Sequence, residues 1–328
     1  MSSNLKQLLR EYEENRVFAL AEAEQKKESV YKQNPRLQEI DDEISKLSIE
    51  KSKTLLLNKS KSKISSIDSR IKKLKLEKDT ILSTIKIDFS PKYKCKICND
   101  MGYVTQISNT EMCSCLRQKL FDLEFNTYNV YNMQNNTFDK FNSTIYSDKV
   151  DKEKYKSDIS PRKNIEIIKQ IADNFILNFD DPKENNLLFT GNSGLGKTFL
   201  SNCIANELLK KHKTVLYQTA PVMLDTIIAH RLGKSNSDFD IYNHLLNVDL
   251  LIIDDLGTEN INNMKFAELF TIINSRLLEK KNKVTKTIIS TNLNLKNLSS
   301  LYGERIISRL VGSYNICYFF GEDIRLKK

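Results

Sequence analysis

The clearest chemical signal in the sequence is a phosphate-binding loop at residues 191–198, which read GNSGLGKT. The pattern GxxxxGK[ST] places glycines where backbone amides must close around phosphate oxygens, and a helix opening at Lys197 points its positive end at them. The apolar run NLLFT before the loop is typical of a strand, and strand, loop and helix together are the context that this motif needs. An ATP site is therefore predicted, and a glycine-rich turn without function is disfavoured.

Every residue of this phosphate loop is expected to help hold the nucleotide. Lys197 would reach the β and γ phosphates, and the Thr198 hydroxyl would bind Mg²⁺. We therefore expect ATP and Mg²⁺ as cofactors. The predicted binding residues are Gly191, Asn192, Ser193, Gly194, Leu195, Gly196, Lys197 and Thr198.

Two adjacent carboxylates, Asp254 and Asp255, end the apolar run LLII and are called the acid pair below. Asp254 is expected to hold Mg²⁺, directly or through water, and Asp255 to polarise the attacking water. An apolar strand ending in acids is also found at plain loop junctions. The water-activating acid of such ATPases is more often Glu, and Asp is one methylene shorter, so slow Mg²⁺-dependent ATP hydrolysis is expected.

Three polar residues beyond the acid pair are further candidates. Asn292 follows the apolar run TIIST, where its amide would touch the γ phosphate and the attacking water, although Asn after a strand is also a common turn former. Arg305 and Arg309 lie four residues apart on one predicted helix face. Such a pair is often a solvated face. Beyond the last site-bearing strand, however, Arg309 would be able to act in trans on a neighbouring subunit's nucleotide.

Four cysteines form two close pairs, spaced CxxC and CxC. Residues 99–112 form the loop between the two pairs. Four thiolates joined by a loop of this length can close a tetrahedral Zn²⁺ site, and a structural site needs no open coordination position. The expected zinc ligands are Cys95, Cys98, Cys113 and Cys115. The alternative is a set of thiols without metal. Cys203 and Cys317 fall in a predicted helix and strand and are expected to pack in a core.

The charge and hydropathy of the chain limit its partners and location. A formal net charge of +9 favours an encounter with nucleic acid or an acidic partner. No apolar run approaches the roughly 18–20 residues that a membrane helix needs, and the N-terminal residues lack the apolar stretch of a signal peptide. We therefore expect a cytoplasmic protein.

Residues 1–90 are predicted to form a helical, coiled-coil arm. Apolar residues recur at spacings of three and four over residues 37–47 and again over residues 64–85, which is a heptad seam. Pro35 and the polar stretch NKSKSK interrupt the helical pattern. The two seams fit an antiparallel helical hairpin. One long interrupted helix that pairs with another chain, and a spacer arm without a specific partner, are the alternatives.

Three segments are predicted after the arm: a four-cysteine unit (91–125), a linker and entry segment (126–159) and an ATPase domain (160–328). Ser160 and Pro161 indicate a helix start, with Ser as the N-cap. Strands alternate with helices beyond this point, which predicts an α/β fold with a mainly parallel sheet and helices on both faces. The predicted strands are NLLFT, TVLYQ, DLLIID, TIIST and YNICYFF. The predicted helices are one from Lys197, helices over 221–247, one over 264–281 and one from about residue 302.

The order and spacing of four motifs resemble the AAA+ ATPases of the bacterial helicase-loader group, of the DnaC and DnaI type. The motifs are GNSGLGKT, LLIIDDLGTE, IISTN and GERIISRLVG. The resemblance is strong over 137–328, moderate over 91–120 and limited to helical character over 1–90. It implies a P-loop AAA+ fold that lacks a full helical lid, since only about sixteen residues follow Gly312.

The resemblance also implies roles for single residues. Arg309 matches the arginine finger and Arg305 its companion on the same helix, while Asn292 matches the sensor 1 residue. Arg325, in GEDIRLKK, takes a place similar to a late C-terminal arginine of the loaders and is expected at the nucleotide. An arginine finger implies self-association through the ATPase domain.

The implied partners are a replicative hexameric helicase for the N-terminal region and single-stranded DNA for the ATPase domain. DNA contacts are expected over about 221–247, including Arg231 and Lys234. The leading hypothesis is an ATP-dependent helicase loader in DNA replication, with ATP as its switch. Transposition-helper ATPases of the IstB type share the core, but the coiled-coil arm and the cysteines resemble loaders. A nucleotide-binding scaffold with little hydrolysis is a third hypothesis.

Overall fold

The computed structural model describes residues 3–56, 61–106, 109–124, 135–233, 241–278 and 283–326. The chain forms two compact units, one of residues 9–107 and one of residues 1–8 with 108–328. Among the helices described, none combines the length and the apolar character that crossing a membrane requires.

Long helices dominate the N-terminal part of the chain. They are α1 (Ser3–Gln33), α2 (Pro35–Leu56) and α3 (Lys61–Ile85). Pro35 is the first residue of α2, where its missing N–H costs no helical hydrogen bond. Only Asn34 therefore separates α1 from α2.

Helices α2 and α3 pack against each other in antiparallel orientation. Ion pairs join Arg36 to Glu77 and Lys51 to Asp68, so early residues of α2 lie beside late residues of α3. Exposed ion pairs contribute only ~0.2–1 kcal/mol each, so apolar burial supplies most of the pairing energy. The buried apolar residues of the two helices are Leu37, Ile40, Ile67 and Leu74. The predicted antiparallel hairpin is confirmed.

A short β-hairpin and a helix follow the arm. Strands β1 (Tyr103–Gln106) and β2 (Asn109–Met112) form a two-stranded sheet, and α4 (Ser114–Glu124) comes next. The Gln118 side chain of α4 exchanges two hydrogen bonds with the backbone of Val215, at 2.9 and 2.7 Å. These bonds cover part of the edge of the main sheet, where unpaired backbone groups would otherwise remain.

A five-stranded parallel sheet forms the centre of the second unit, in the order β4-β5-β6-β3-β7. The strands are β3 (Asn186–Thr190), β4 (Val215–Thr219), β5 (Leu250–Leu256), β6 (Lys286–Thr291) and β7 (Tyr314–Tyr318). Strand β3 pairs with both β6 and β7. All strands run in one direction, so their carboxyl ends meet at one edge of the sheet, which we call the carboxyl edge.

Helices cover both faces of this sheet. After the short α5 (Lys152–Tyr155), α6 (Pro161–Leu177) and α7 (Lys197–Lys210) pack on one face. The opposite face carries α8 (Ala220–Arg231), α9 (Ile241–Asn247), α10 (Asn263–Leu277) and α11 (Leu295–Ser313). Neighbouring strand residues such as Leu187 and Leu188 enter opposite cores, because side chains alternate along a strand. The predicted α/β fold is confirmed.

Capping residues set the helix boundaries. The Ser160 side chain accepts a hydrogen bond from the Lys163 amide at the start of α6, as predicted. Helix α11 starts at Leu295 instead of about residue 302, because Asn294 caps it. A φ of 69° at Gly303 divides α11, so the predicted start marks only its second segment. Residues 234–240 and 279–281 of the predicted helices lie outside the described residues.

Candidate nucleotide site

The phosphate loop connects β3 to α7 at the carboxyl edge of the sheet. Gly191, Gly194 and Gly196 have φ values of 141°, 74° and 88°, which side-chain-bearing residues rarely adopt. A Cβ atom at these positions would lie 2.1 Å from Phe319 O, 2.0 Å from Asp323 Oδ1 and 2.6 Å from the Tyr146 hydroxyl oxygen, respectively. The glycines are therefore required by protein neighbours as well as by the expected approach of phosphates.

Lys197 is the first residue of α7, and only 6% of it is exposed. Its Nζ donates hydrogen bonds to the backbone oxygens of Gly191 and Asn192, at 2.6 and 2.8 Å, and to Asn292 Oδ1 at 2.8 Å. Burial lowers the pKa of Lys197, and the negative charges of the acid pair oppose that shift. All three acceptors are uncharged oxygens, so charged phosphate oxygens would be stronger partners for this ammonium group.

Asp254 is buried near the end of β5 and is surrounded by hydroxyl donors. Thr198 Oγ1 donates to Asp254 Oδ2 at 3.0 Å. Tyr217 of β4 and Ser290 of β6 donate to Oδ2 and Oδ1, respectively. Thr198 and Asp254 therefore present adjacent oxygen atoms, the ligand type that Mg²⁺ takes in proteins.

Asp255 has an unusual backbone conformation, with a φ of 55°. The register between β5 and β6 shifts between Ile253 and Leu256, which is a bulge around Asp255. Bulges are common beside active sites, because they redirect a side chain. Burial and the negative charge of Asp254 raise the pKa of the Asp255 carboxyl, which makes it a stronger base than a solvated aspartate.

The structure thus brings five predicted residues of the site together at the carboxyl edge. Asn292 follows β6 directly and contacts Lys197, while Thr198 contacts Asp254. Asp255 is near enough to Lys197 for the lysine charge to act on its carboxyl. A cation, an amide, a hydroxyl and two carboxylates in one place have the composition needed to bind a phosphate chain with Mg²⁺.

Arg309 and Arg305 belong to the second segment of α11, and their described contacts do not join this group. Arg309 Nε donates to Asn274 Oδ1 of α10 at 2.8 Å, and Nη1 donates to the Arg305 backbone oxygen at 2.9 Å. The guanidinium also lies 4.4 Å from the centroid of the Phe270 ring. Arg309 is therefore held in place by α10, and Arg305 is exposed beside it.

Arg325 is connected to the phosphate loop through Asp323. It lies on the short 3₁₀ turn Ile324–Leu326 and pairs with Asp323. The Asp323 carboxylate in turn lies against Gly194 of the phosphate loop. Arg325 therefore lies near the phosphate loop, paired with Asp323.

Sequence reasoning missed four residues that support the site. Tyr217 and Ser290 hold Asp254, and Asp323 and Tyr146 contact the phosphate loop. The Tyr146 hydroxyl also donates to the Leu195 backbone oxygen at 2.9 Å. Ser290 lies two residues before Asn292 and so shares its face of the strand, a signal that the sequence contained.

The four predicted cysteine ligands come together. Their Sγ atoms all lie within 4.8 Å of one another. A tetrahedral site with Zn–S distances of about 2.3 Å has sulfur atoms roughly 3.8 Å apart, so the cluster fits a zinc ion. The Asp100 carboxylate accepts from the Lys94 and Cys95 amides at 2.9 and 2.8 Å, which fixes the first turn of the cluster. Cys203 and Cys317 are buried in the core, as expected.

Of the two residues expected to contact DNA, Arg231 lies among the described residues. Arg231, at the end of α8, pairs with Glu268 of α10 at 2.8 Å. Its guanidinium also lies 5.7 Å from the centroid of the Tyr242 ring. Lys234 lies outside the described residues.

Comparison with protein families identifies the part of the chain that carries this site. The family described as IstB-like ATP binding protein matches residues 140–328. The matched range contains the phosphate loop, the acid pair, Asn292, Arg309 and Arg325.

Curated relatives are similar to the same part of the chain. The replicative helicase loader DnaC of Escherichia coli strain K12 is 31% identical over 123 residues, which are 38% of this chain and 49% of that protein. DnaC of Buchnera aphidicola subsp. Baizongia pistaciae is 30% identical over 161 residues, 49% of this chain and 62% of that protein. The match spans about half to three fifths of the relatives' own length.

Solved structures to which the chain is similar include a crystal structure of the DnaC helicase loader, with 22% identity and a TM-score of 0.44. It covers 58% of this chain and 99% of its own. A crystal structure of DnaI has 19% identity and a TM-score of 0.45, and covers 60% of this chain and 95% of its own. Since the family match extends over more than half of the chain, the protein belongs to the IstB-like ATP binding proteins, and it is DnaC-like.

Proposed function

We propose that this protein loads a replicative helicase onto single-stranded DNA, with ATP binding and slow Mg²⁺-dependent hydrolysis as its switch. The observation that carries the proposal is the convergence of Lys197, Asn292, Thr198 and Asp254 at the carboxyl edge. Family membership supports the ATP site. The names of the curated relatives support helicase loading.

The phosphate loop is assigned to the ATP phosphates. Lys197 would exchange three uncharged acceptors for oxygens of the β and γ phosphates, which bind an ammonium group more strongly. The backbone amides at the start of α7 would face the same phosphates. Thr198 and Asp254 would hold Mg²⁺, which supplies charge stabilisation of the transferred phosphoryl group.

Asp255 is assigned to the attacking water. Its raised pKa makes it a better proton acceptor than a solvated aspartate. Asn292, next to Lys197, would orient the water and the γ phosphate. Because Asp reaches one methylene less far than Glu, we expect slow turnover.

Arg309 is assigned to the ATP of an adjacent subunit, with Arg305 as its companion. The contacts of Arg309 with Asn274 and Phe270 hold the guanidinium in one place. A guanidinium that is already ordered loses less entropy when it binds a phosphate. This role requires self-association through the second unit.

The partners are assigned by unit. The N-terminal helices, including the α2–α3 hairpin, would bind the helicase. Single-stranded DNA would contact α8 and the residues after it, including Arg231 and Lys234, and the net charge of +9 favours such an encounter. Helicase loading would take place in the cytoplasm.

The four-cysteine cluster is assigned to one structural Zn²⁺ ion. Four thiolates complete a tetrahedral shell and leave no open position for catalysis. The ion would therefore stabilise the turn at Asp100 and the β1–β2 hairpin, and it would take no part in ATP hydrolysis.

The test combines hydrolysis with partner binding. We expect the wild-type protein to hydrolyse ATP, with a rate that single-stranded DNA changes, and Asp255→Asn to bind an ATP analogue normally while hydrolysing little. Equal rates of ATP hydrolysis by the two proteins would show that Asp255 takes no part in the reaction. The full chain should also co-elute with a purified replicative helicase in size-exclusion chromatography, and separate elution of the two proteins would contradict the loader assignment.

A transposition helper is the second candidate function, favoured by the name of the matching family. Such a protein would use the same ATP site and would bind a transposase instead of a helicase. Parallel co-elution experiments with the two partners distinguish the functions.

A further inference from the structure

The chain after β7 returns to the phosphate loop and lies along it. The Phe319 amide donates to the Thr190 oxygen at 2.7 Å, and the Ile324 amide donates to the Gly194 oxygen at 2.9 Å. These two bonds attach residues 319–326, which we call the C-terminal segment, to the last residue of β3 and to Gly194 within the phosphate loop.

Asp323 places a negative charge in an unexpected position. The ideal Cβ position of Gly194 lies 2.0 Å from Asp323 Oδ1, so the carboxylate occupies the space beside that glycine. Hydrogen bonds from Arg325 lower the pKa of Asp323, which keeps the carboxylate ionised at neutral pH. A loop that is built to receive anions therefore already has an anion against it.

Arg325 neutralises this carboxylate with a two-point contact. Its Nε donates to Asp323 Oδ1 at 2.9 Å, and Nη2 donates to Oδ2 at 2.5 Å. A guanidinium binds carboxylate and phosphate with the same paired geometry.

We propose that Asp323 is a positioning residue for Arg325, and that its carboxylate and the phosphates of bound ATP compete for this guanidinium. The proposal rests on the proposed binding of ATP at the phosphate loop. When Arg325 turns to a phosphate, Asp323 loses its partner and faces a like charge across Gly194. The carboxylate then moves away, and the bond from the Ile324 amide to Gly194 breaks.

This competition makes the C-terminal segment sensitive to the nucleotide. The segment lies on the loop while Arg325 is paired with Asp323, and it loosens when ATP takes Arg325. Because the segment is at the surface, where Arg325 and Leu326 are exposed, a partner protein would meet a different surface in the two states.

The first measurement is the affinity of the full-length protein for a fluorescent, non-hydrolysable ATP analogue. Asp323→Asn removes the competing charge and keeps the shape, so we expect binding to tighten about two- to fivefold, the range for an exposed ion pair. Glu322→Gln is the matched control, because it removes a neighbouring charge that pairs with Lys154 instead.

The second measurement is hydrogen exchange of the Ile324 amide with and without saturating analogue. We expect its exchange to accelerate when the analogue binds to the wild-type protein. Unchanged or slower exchange would overturn the proposal, as would an Asp323→Asn affinity that is no tighter than that of Glu322→Gln. If the wild-type protein does not bind the analogue at all, the proposed ATP site fails together with this inference. If the analogue binds and either result above is negative, only this inference fails.

Discussion

The Tyr217 phenol donates a hydrogen bond to Asp254 Oδ2, the same carboxylate oxygen that accepts from Thr198 Oγ1. Tyr217 belongs to β4 and Asp254 to the neighbouring β5, so the contact follows from strand order. Burial raises the pKa of Tyr217 far above neutral pH, and the phenol therefore remains a donor. It orients a carboxylate that we assign to Mg²⁺.

Tyr217→Phe is expected to weaken the use of Mg²⁺ without unfolding the protein. Loss of a residue that orients a metal ligand typically costs ~10–100-fold in metal affinity or activity. Since Thr198 and Ser290 still hold Asp254, we expect an effect near the small end, measured as the Mg²⁺ concentration that gives half-maximal ATP hydrolysis. Tyr314→Phe, a buried tyrosine at the opposite edge of the sheet, is the control. An unchanged Mg²⁺ requirement would contradict the assignment of Asp254.

Lys197→Ala is expected to abolish ATP binding or hydrolysis while the fold persists. The ammonium group contacts loop oxygens and Asn292, and it does not fill an apolar core. Binding of a fluorescent ATP analogue and thermal unfolding measure the two properties separately. Lys211→Ala is a matched control, because that lysine also donates to a backbone oxygen, of Ile176, but outside the site. Normal hydrolysis by Lys197→Ala would refute the phosphate-loop assignment.

The zinc proposal predicts one equivalent of zinc per chain in protein purified without chelator. Cys113→Ser should lose the metal, whereas Cys317→Ser should keep it, because Cys317 packs in the core. After removal of the metal, four thiols should react with a thiol reagent. Burial raises the pKa of both Cys203 and Cys317 to about 12, so these two should stay unreactive at neutral pH. Absence of zinc, or a full equivalent in Cys113→Ser, would contradict the proposal.

The trans assignment of Arg309 is tested by mixing two inactive proteins. Arg309→Ala keeps an intact phosphate loop, and Lys197→Ala keeps an intact finger, so mixed assemblies should regain part of the hydrolysis rate. An arginine finger raises the hydrolysis rate ~10³–10⁵-fold in well-studied NTPases. Because Asp255 is one methylene shorter than the usual Glu, we expect the rate increase due to Arg309 to lie near the small end of this range.

The control for this mixture is the double variant Lys197→Ala/Arg309→Ala, which brings no finger and should restore nothing to Arg309→Ala. Co-assembly is checked by size-exclusion chromatography. If Arg309→Ala and Lys197→Ala co-assemble and the mixture stays inactive, Arg309 acts within its own subunit.

The sequence was sufficient to place Lys197, Thr198, Asp254 and Asn292 near one another. The motif spacing marks the ends of three strands, and parallel strands bring their carboxyl ends to one edge. Tyr217 was beyond such reasoning, because its role depends on β4 flanking β5. Strand order is a property of the whole sheet and has no local signal.

The contact of Asp323 with Gly194 was also beyond sequence reasoning, for a different physical reason. It depends on the path of the chain after β7, which the bonds from Phe319 and Ile324 fix. Helix α11 starts at Leu295 and not at the predicted residue of about 302, because its cap at Asn294 is a side-chain contact and Gly303 interrupts the helix.

Tyr146 has a practical consequence for work with shortened versions of this protein. Its hydroxyl holds the Leu195 oxygen, and burial raises its pKa to about 12, so the donor persists at neutral pH. A fragment trimmed to start at residue 160 would retain every residue of the predicted ATP site and lose this support for the loop. Nucleotide affinities measured on such a fragment would be weaker than those of the intact protein. Fragments for crystallisation or titration should therefore begin before Phe138, which also packs against the core on the same face of the sheet.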